Sequence, residues 1–310
     1  MLHTFPNQRL LARPARFRRA CLAAVVIASA FVTQAAADQL VRFRASKPFV
    51  SKPIMLEAEL FKPSGKGPFP AVVLMHGCGG WQPAVIASLH MHAMDLLSRG
   101  YLVLNVDSFG PRDRTGGSVC SSLSELTNAV SYRTADAFDA QRYLQSLSYV
   151  DAENIFLMGQ SNGGSAALTA AKTHGAHPFR AVAAYYPWCG SFGSTNVNLA
   201  SPTIIFGGND DDWVHPLDCR RNKSTGAELK LVLYPGAAHS FDVRISKQRF
   251  IGKLIGYDEN ATRDSSSKMI AFFDEKRQAA SKLASLTGQA SPVLQASVMP
   301  GLTKQARQAE

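Results

Sequence analysis

The chain has 310 residues, of which 46% are hydrophobic and 18% charged, and its formal net charge is +10. That length and apolar content are enough to bury the core of one α/β domain. No basic segment is interleaved with aromatic residues, which argues against a nucleic-acid-binding protein.

The first 37 residues have the pattern of a secretory signal peptide. An uncharged stretch at 20–31 is followed by three alanines at 35–37, and it is preceded by five arginines: Arg9, Arg13, Arg16, Arg18 and Arg19. We therefore predict export to the periplasm or the medium, with no membrane anchor, because the stretch is too short to span a bilayer. The Arg18-Arg19 pair leaves a twin-arginine route as an alternative to the general one.

Removal of this segment would take five of the 33 basic residues and none of the 23 acidic ones, so the net charge falls from +10 to +5. It would also remove Cys21 and leave four cysteines: Cys78, Cys120, Cys189 and Cys219. An even number of cysteines suits an oxidising compartment and permits three disulfide connectivities, among which the residues alone do not choose.

The predicted elements begin with two alternating segments at 40–45 and 54–61, which indicate antiparallel strands. Continuous apolar runs then predict strands at 71–75, 101–106, 154–158, 181–185, 203–206 and 229–234. Helical spacing predicts helices at 85–98, 123–146, 162–173 and 261–276. Buried strands alternating with helices are typical of a mainly parallel sheet covered on both faces. From 277 onward we predict a loosely ordered tail.

A serine flanked by glycines follows the strand predicted at 154–158. The sequence Gly159-Gln160-Ser161-Asn162-Gly163 is a G-x-S-x-G pattern between a strand and a helix, as in the nucleophile elbow of serine hydrolases. The alternative is a glycine-rich helix start with Ser161 as its N-cap. The other residues that such an enzyme needs favour the catalytic interpretation.

A serine nucleophile requires a histidine base and an acid that orients it. Both follow later strands in the order Ser, Asp, His, with acids at 210–212 and the base at His239. His215 is a competitor for the base, but it is too close in sequence to the acidic loop. No histidine pair has a carboxylate or thiol at useful ligand spacing, so we predict no metal site and no cofactor.

Two main-chain N–H groups are needed to stabilise the oxyanion. One is expected from Asn162, directly after the serine. The other is expected from Cys78 in the loop His76-Gly-Cys-Gly-Gly80, which matches the H-G-G-G type of oxyanion loop. The glycines are also compatible with a simple tight turn.

Taken together, these motifs resemble the dienelactone hydrolase family of the α/β-hydrolase fold over about residues 54–276. The motifs are HGCGG at 76–80, DSFGPR at 107–112, GQSNGG at 159–164, GNDDDWV at 208–214, PGAAHSFD at 235–242 and IGYDENAT at 255–262. The resemblance implies that Asp211 is the acid, with Asp210 as the alternative. With the signal peptide removed, we predict a catalytic domain at 38–277 and a tail at 278–310. The segment between the strands at 181–185 and 203–206 is too short to hold a separate cap domain.

The chain departs from the family's namesake enzymes in one respect, because they carry cysteine where this chain has Ser161. Arg112 lies near the position where those enzymes hold a substrate carboxylate, or it pairs with a structural carboxylate. Four aromatic residues at predicted strand ends either line the pocket or belong to ordinary packing: Trp81, Phe109, Trp188 and Trp213. Trp81 and Trp213 are predicted to contact substrate, whereas Arg133 is interpreted as structural. The strand order of the fold further implies two disulfides, Cys78–Cys120 and Cys189–Cys219.

The prediction is therefore an exported serine hydrolase that cleaves a small ester or lactone through an acyl-enzyme. The alternatives are a peptidase or acyltransferase with the same triad, or a binding protein without catalysis. The oligomeric state is not predicted.

Overall fold

The structure, a computed structural model, describes residues 39–114 and 117–287, with side chains described to residue 279. The predicted signal peptide at 1–37 lies outside the described residues, as does the part of the predicted tail at 288–310.

Eight strands form the central sheet, and two pairs of short strands lie apart from it. The central strands are β1 (Gln39–Arg44), β2 (Met55–Phe61), β3 (Phe69–Met75), β4 (Leu102–Asp107), β5 (Val150–Gln160), β6 (Val182–Tyr185), β8 (Thr203–Gly208) and β10 (Leu229–Tyr234). The short pairs are β7 (Asn196–Val197) with β9 (Lys223–Ser224), and β11 (Gln248–Phe250) with β12 (Lys253–Ile255).

The order across the central sheet is β1-β2-β4-β3-β5-β6-β8-β10. The six strands β4, β3, β5, β6, β8 and β10 run parallel to one another. Strand β2 is antiparallel to both of its neighbours, β1 and β4, in agreement with the antiparallel strands that the alternating sequences predicted. Because parallel strands end at the same edge of a sheet, the loops after β3, β5, β8 and β10 meet there. The mainly parallel α/β fold that the sequence predicted is confirmed.

The helices are α1 (Pro83–Ser98), α2 (Leu123–Gln145), α3 (Asn162–Ala171), α4 (Pro216–Arg220) and α5 (Glu259–Thr287). Along β3, Ala71, Val73 and Met75 pack in the same cluster as side chains of α2 and α3. Val72 and Leu74 pack in the opposite cluster, with side chains of α1 and α5. Alternate side chains of these apolar strands pack into the two cores on opposite faces of the sheet, which explains why apolar and polar residues do not alternate along them.

The segment between β6 and β8 contains a 3₁₀ turn at Cys189–Phe192 and the two-residue β7, and it holds no cap domain. The predicted end of the last helix at Lys276 was wrong, since α5 continues to Thr287. Residues 278–287, assigned to the tail for their shortage of large apolar residues, include three alanines, two leucines and one lysine, which favour helix. No helix in the described ranges combines the length and apolar character needed to cross a membrane.

Candidate active site

Ser161 lies at the turn between β5 and α3 in a conformation that side chains rarely adopt. Its φ is +50° and its ψ −116°, and its main-chain N–H donates to the carbonyl of Tyr185 over 2.9 Å. Such strain persists only where surrounding contacts hold it, and it is concentrated at functional sites.

The flanking glycines allow this turn. A Cβ atom at Gly159 would lie 2.3 Å from the carbonyl oxygen of Gly163, and one at Gly163 would lie 2.4 Å from that of Met75. Both distances are far inside van der Waals contact, so strand, turn and helix approach this closely only with glycine at the two positions. This is why the serine is bracketed by glycines.

The structure brings Ser161, His239 and Asp211 together. His239 Nε2 is 2.9 Å from Ser161 Oγ, and His239 Nδ1 is 2.7 Å from Asp211 Oδ2. Both His239 and Asp211 are buried. The Nδ1–H tautomer, which donates to the carboxylate, leaves Nε2 free to accept the serine proton.

The three consecutive aspartates have different surroundings. Asp211 Oδ1 accepts the main-chain N–H groups of Trp213 and Val214 over 2.9 and 3.0 Å, so both of its oxygens are bonded. Asp210 is exposed and lies 3.6 Å from Lys247. Asp212 is also exposed and bonds the β11–β12 hairpin, where it accepts the N–H of Leu254 over 2.6 Å. The structure therefore brings Asp211 to His239 and leaves the alternative, Asp210, on the surface.

His215, the competing base, is exposed and caps α4, where its Nδ1 accepts the N–H of Leu217 over 3.3 Å. Within residues 39–114 and 117–279, no three His, Cys, Asp or Glu side chains converge on a possible metal position.

The sequence from 56 to 277 matches the model of the dienelactone hydrolase family. The match covers most of the chain and includes all six motifs. The chain belongs to the dienelactone hydrolase family. It is accordingly a carboxylic ester hydrolase of the α/β-hydrolase superfamily. None of the curated proteins matches the sequence significantly.

Solved structures share the fold. The dienelactone hydrolase-like promiscuous phosphotriesterase P91 from metagenomic libraries is 21% identical with a TM-score of 0.56, over 76% of this chain and 98% of that one. Esterase 2 of Thermogutta terrifontis, phosphorylated by paraoxon, is 19% identical with a TM-score of 0.52, over 81% and 95%. Dipeptidyl peptidase 4 of Porphyromonas gingivalis is 18% identical with a TM-score of 0.52, over 76% of this chain and 35% of that one. Identities this low show a common fold and nothing more.

In this family member the loop after β3 lies against the serine. A Cβ atom at Gly77 would lie 3.4 Å from that of Ser161, and Cys78 lines the same cavity as Ser161 and Asn162. No hydrogen bond joins the main-chain N–H of Cys78 or Asn162 to another group in the described part of the chain. The two candidate oxyanion donors thus border the site with unpaired N–H groups.

The side chain of His76 anchors the same loop through hydrogen bonds of its two ring nitrogens. It is fully buried, its Nε2 accepts the N–H of Ser108 over 3.2 Å, and its Nδ1 lies 2.7 Å from the carbonyl oxygen of Gly77. Burial and the charge of Arg133 lower the pKa of His76, so the ring is neutral and its Nδ1–H donates to Gly77.

Two disulfides join Cys78 to Cys120 and Cys189 to Cys219, which is the pairing that the resemblance implied. The first links the loop after β3 to the 3₁₀ turn before α2. The second links the 3₁₀ turn after β6 to α4. The first disulfide therefore fixes the loop that borders the serine, since Cys78 lines the same cavity as Ser161.

The substrate-binding interpretation of Arg112 was wrong. Its side chain is buried against Asp136, with Nη1–Oδ2 and Nη2–Oδ1 distances of 2.9 and 2.7 Å. Its remaining N–H groups donate to the carbonyls of Lys47, Pro48 and Ser108. All five guanidinium donors are thus used by the protein, and none remains for a substrate carboxylate.

A cavity of about 170 Å³ adjoins Ser161. Trp213 lines it and lies with its ring 5.1 Å from that of His239, whereas Trp81 is not among the lining residues. Substrate contact by Trp81 is therefore not supported. The sequence did not predict that α2 forms a wall of this cavity, although the apolar spacing along the helix is present in the sequence.

Proposed function

We propose that the chain is an exported serine esterase that hydrolyses esters or lactones through an acyl-enzyme on Ser161. The observation that carries the proposal is the continuous chain of contacts from Ser161 Oγ to His239, at 2.9 Å, and on to Asp211, at 2.7 Å. These are the distances that proton transfer and ring orientation require.

In the first step Ser161 Oγ attacks the substrate carbonyl while His239 Nε2 accepts the serine proton. Asp211 stabilises the imidazolium that forms, and the N–H groups of Cys78 and Asn162 stabilise the oxyanion. The tetrahedral intermediate then collapses, and His239 gives the proton to the leaving alkoxide. In the second step His239 removes a proton from water, which attacks the ester carbonyl on Ser161. The second tetrahedral intermediate then collapses, the bond to Oγ breaks, and His239 returns the proton to Ser161 Oγ as the acid leaves.

Export is part of the proposal. Both disulfides suit an oxidising compartment. The sequence of residues 1–37 supports export independently. We propose that residues 38–277 form the catalytic domain.

The acyl-enzyme is tested with a fluorophosphonate probe and with rapid kinetics. We expect the probe to add its mass to the peptide that contains Ser161, and an activated aryl ester to give a burst of about one product per enzyme. Peptide anilides and acyl acceptors tested beside the esters distinguish the peptidase and acyltransferase alternatives. A protein that reacts with neither probe nor ester would be a binding protein, and the proposal would be lost.

A further inference from the structure

The cavity beside Ser161 has a wall built by one face of α2. Its residues are spaced as on a single helix face: Leu123, Leu126, Thr127 and Val130. Leu123 is 73% exposed, so it stands at the mouth, whereas Leu126 and Val130 are half-buried and lie deeper. Two contacts fix the position of this wall. The Cys78–Cys120 disulfide anchors the turn just before α2, and the Asn162 side chain donates to the carbonyl of Leu126 over 2.8 Å.

Trp188, Trp213 and Val214 also line the cavity, and none of its lining residues is charged. The two buried arginines nearby are bound elsewhere: Arg112 to Asp136, and Arg133 to the carbonyl of His76 and the side chain of Asn162. A substrate carboxylate in the cavity would therefore be buried without a partner, which is strongly unfavourable.

The size of the cavity limits the group that it can hold. An apolar cavity of about 150 Å³ accommodates a benzene molecule. The 170 Å³ beside Ser161 is therefore enough for one short branched, short linear or phenyl group.

Resting on the serine esterase function proposed above, we propose that the site takes uncharged esters that place one compact apolar group in this cavity. Apolar contact with α2 and the two tryptophans provides the selectivity. The substrate thus differs in class from the anionic lactone of the namesake enzymes, because no cationic side chain lines the cavity among the residues that the structure describes.

The test compares pairs of p-nitrophenyl esters. We expect kcat/KM for the butanoate to exceed that for the acetate by about tenfold, because the added methylenes are buried. We expect the hydrogen glutarate, an anionic ester of similar length, to fall at least about 100-fold below the hexanoate. The same comparisons with alkyl acetates show whether the acyl or the alkoxy group enters the cavity.

Two variants connect this selectivity to the cavity. Val130→Phe fills it and should abolish the preference for butanoate over acetate, whereas Leu126→Ala enlarges it and should raise activity toward benzoate relative to butanoate. Leu40→Ala, at an exposed position of β1, should change neither ratio. The inference is overturned if the anionic esters react within tenfold of their neutral counterparts, or if neither variant shifts a ratio. A complete lack of ester hydrolysis would instead overturn the proposed function.

A second observation concerns Arg133, which the sequence left as a structural residue. Its side chain is fully buried on α2, and no carboxylate lies within ion-pairing distance of it in the described part of the chain. Burial lowers the pKa of Arg133 to about 10, so it remains charged at neutral pH. Asp136 and Asp107 favour the charged form of Arg133 from a greater distance. A buried cation with no direct carboxylate contact is nevertheless costly and needs strong hydrogen bonds.

Those hydrogen bonds go to the two segments that carry the proposed oxyanion donors. Nη1 donates to Asn162 Oδ1 over 2.9 Å, and Nη2 donates to the carbonyl oxygen of His76 over 2.5 Å. The guanidinium also stacks over the ring of Phe109, at 4.7 Å from its centroid. We infer that Arg133 is a positioning residue that holds the His76–Cys78 segment and Asn162 at the spacing an oxyanion requires.

The replacement Arg133→Gln should lower kcat about 100-fold, the effect of losing one oxyanion donor, with KM changed less than about threefold. Affinity for butylboronic acid, which forms a tetrahedral adduct with the serine, should fall in parallel. Arg133→Lys, which keeps the charge without the planar fork, should recover part of kcat.

The matched control is Arg180→Gln. Arg180 also donates to a main-chain carbonyl, that of Lys276, over 2.6 and 2.9 Å, but it lies on the loop before β6. The replacement Arg180→Gln should lower the melting temperature of the protein without lowering kcat. If Arg133→Gln likewise changes only the melting temperature, the positioning role is lost. If Arg133→Gln does not fold, an unchanged kcat and boronate affinity in Arg133→Lys lead to the same conclusion.

Discussion

The replacement Ser161→Ala is expected to lower kcat for ester hydrolysis by a factor of about 10⁶, the cost of losing the nucleophile of a serine hydrolase. Without Oγ no acyl-enzyme forms, and what remains is water attack assisted by the oxyanion donors. The fold should persist, because the turn at residue 161 is held by its main-chain bond to Tyr185 and by the close packing at Gly159 and Gly163. Steady-state hydrolysis of an activated aryl ester measures kcat, and thermal melts measure whether the fold persists.

The control for this replacement is Ser146→Ala, at the exposed C-terminal end of α2, which should keep full activity. Fluorophosphonate labelling should disappear in Ser161→Ala and persist in the control. Hydrolysis by Ser161→Ala within tenfold of the parent protein would contradict the assignment of the nucleophile.

The parallel strands and the serine turn could be predicted from the sequence because local patterns specify them. Apolar runs mark strands with two buried faces. Gly159 and Gly163 mark close approaches of α3 to β5 and to β3, beside the turn that holds Ser161 at φ +50°. The end of α5 could not be placed, because a helix continues on intrinsic propensity where apolar periodicity has faded.

The sequence left two interpretations open for Arg112 and gave no partner for Arg133, because the contacts of both side chains are made with distant residues. Arg112 meets Asp136, which is 24 residues away, and Arg133 meets His76, which is 57 residues away. The guanidinium of Arg112, which lies within a family motif, suggests substrate binding, and only the buried carboxylate of Asp136 shows that its donors are used. Burial without a direct carboxylate contact is likewise invisible in the sequence, although it is the feature that distinguishes Arg133 from Arg112.

The cavity wall on α2 is an intermediate case. The spacing of Leu123, Leu126 and Val130 indicates an apolar helix face, but such a face normally packs against a core. Here its N-terminal part is left uncovered, since Leu123 is 73% exposed. The sequence predicts that the face is apolar, and the tertiary structure determines that it borders the serine.

The replacement Asp211→Asn is expected to lower kcat about 10⁴-fold while leaving the fold intact, since an amide at this position favours the wrong tautomer of the histidine. Asp211 Oδ1 already accepts the N–H groups of Trp213 and Val214, so the amide oxygen of asparagine is retained there and its NH₂ group is directed at His239 Nδ1. Nδ1 must then accept, Nε2 carries the proton, and it can no longer accept the proton of Ser161.

The aspartates on either side provide matched controls for this replacement. Asp210→Asn and Asp212→Asn remove the same charge within one residue of Asp211, but both side chains are exposed and bonded to surface groups. Each should retain kcat within about threefold, because exposed ion pairs contribute little. Steady-state kinetics of the three variants at one pH separates orientation of His239 from the general charge of the loop. A loss in Asp210→Asn as large as that in Asp211→Asn would show that the loop acts through its charge, and the geometric account of the triad would fail.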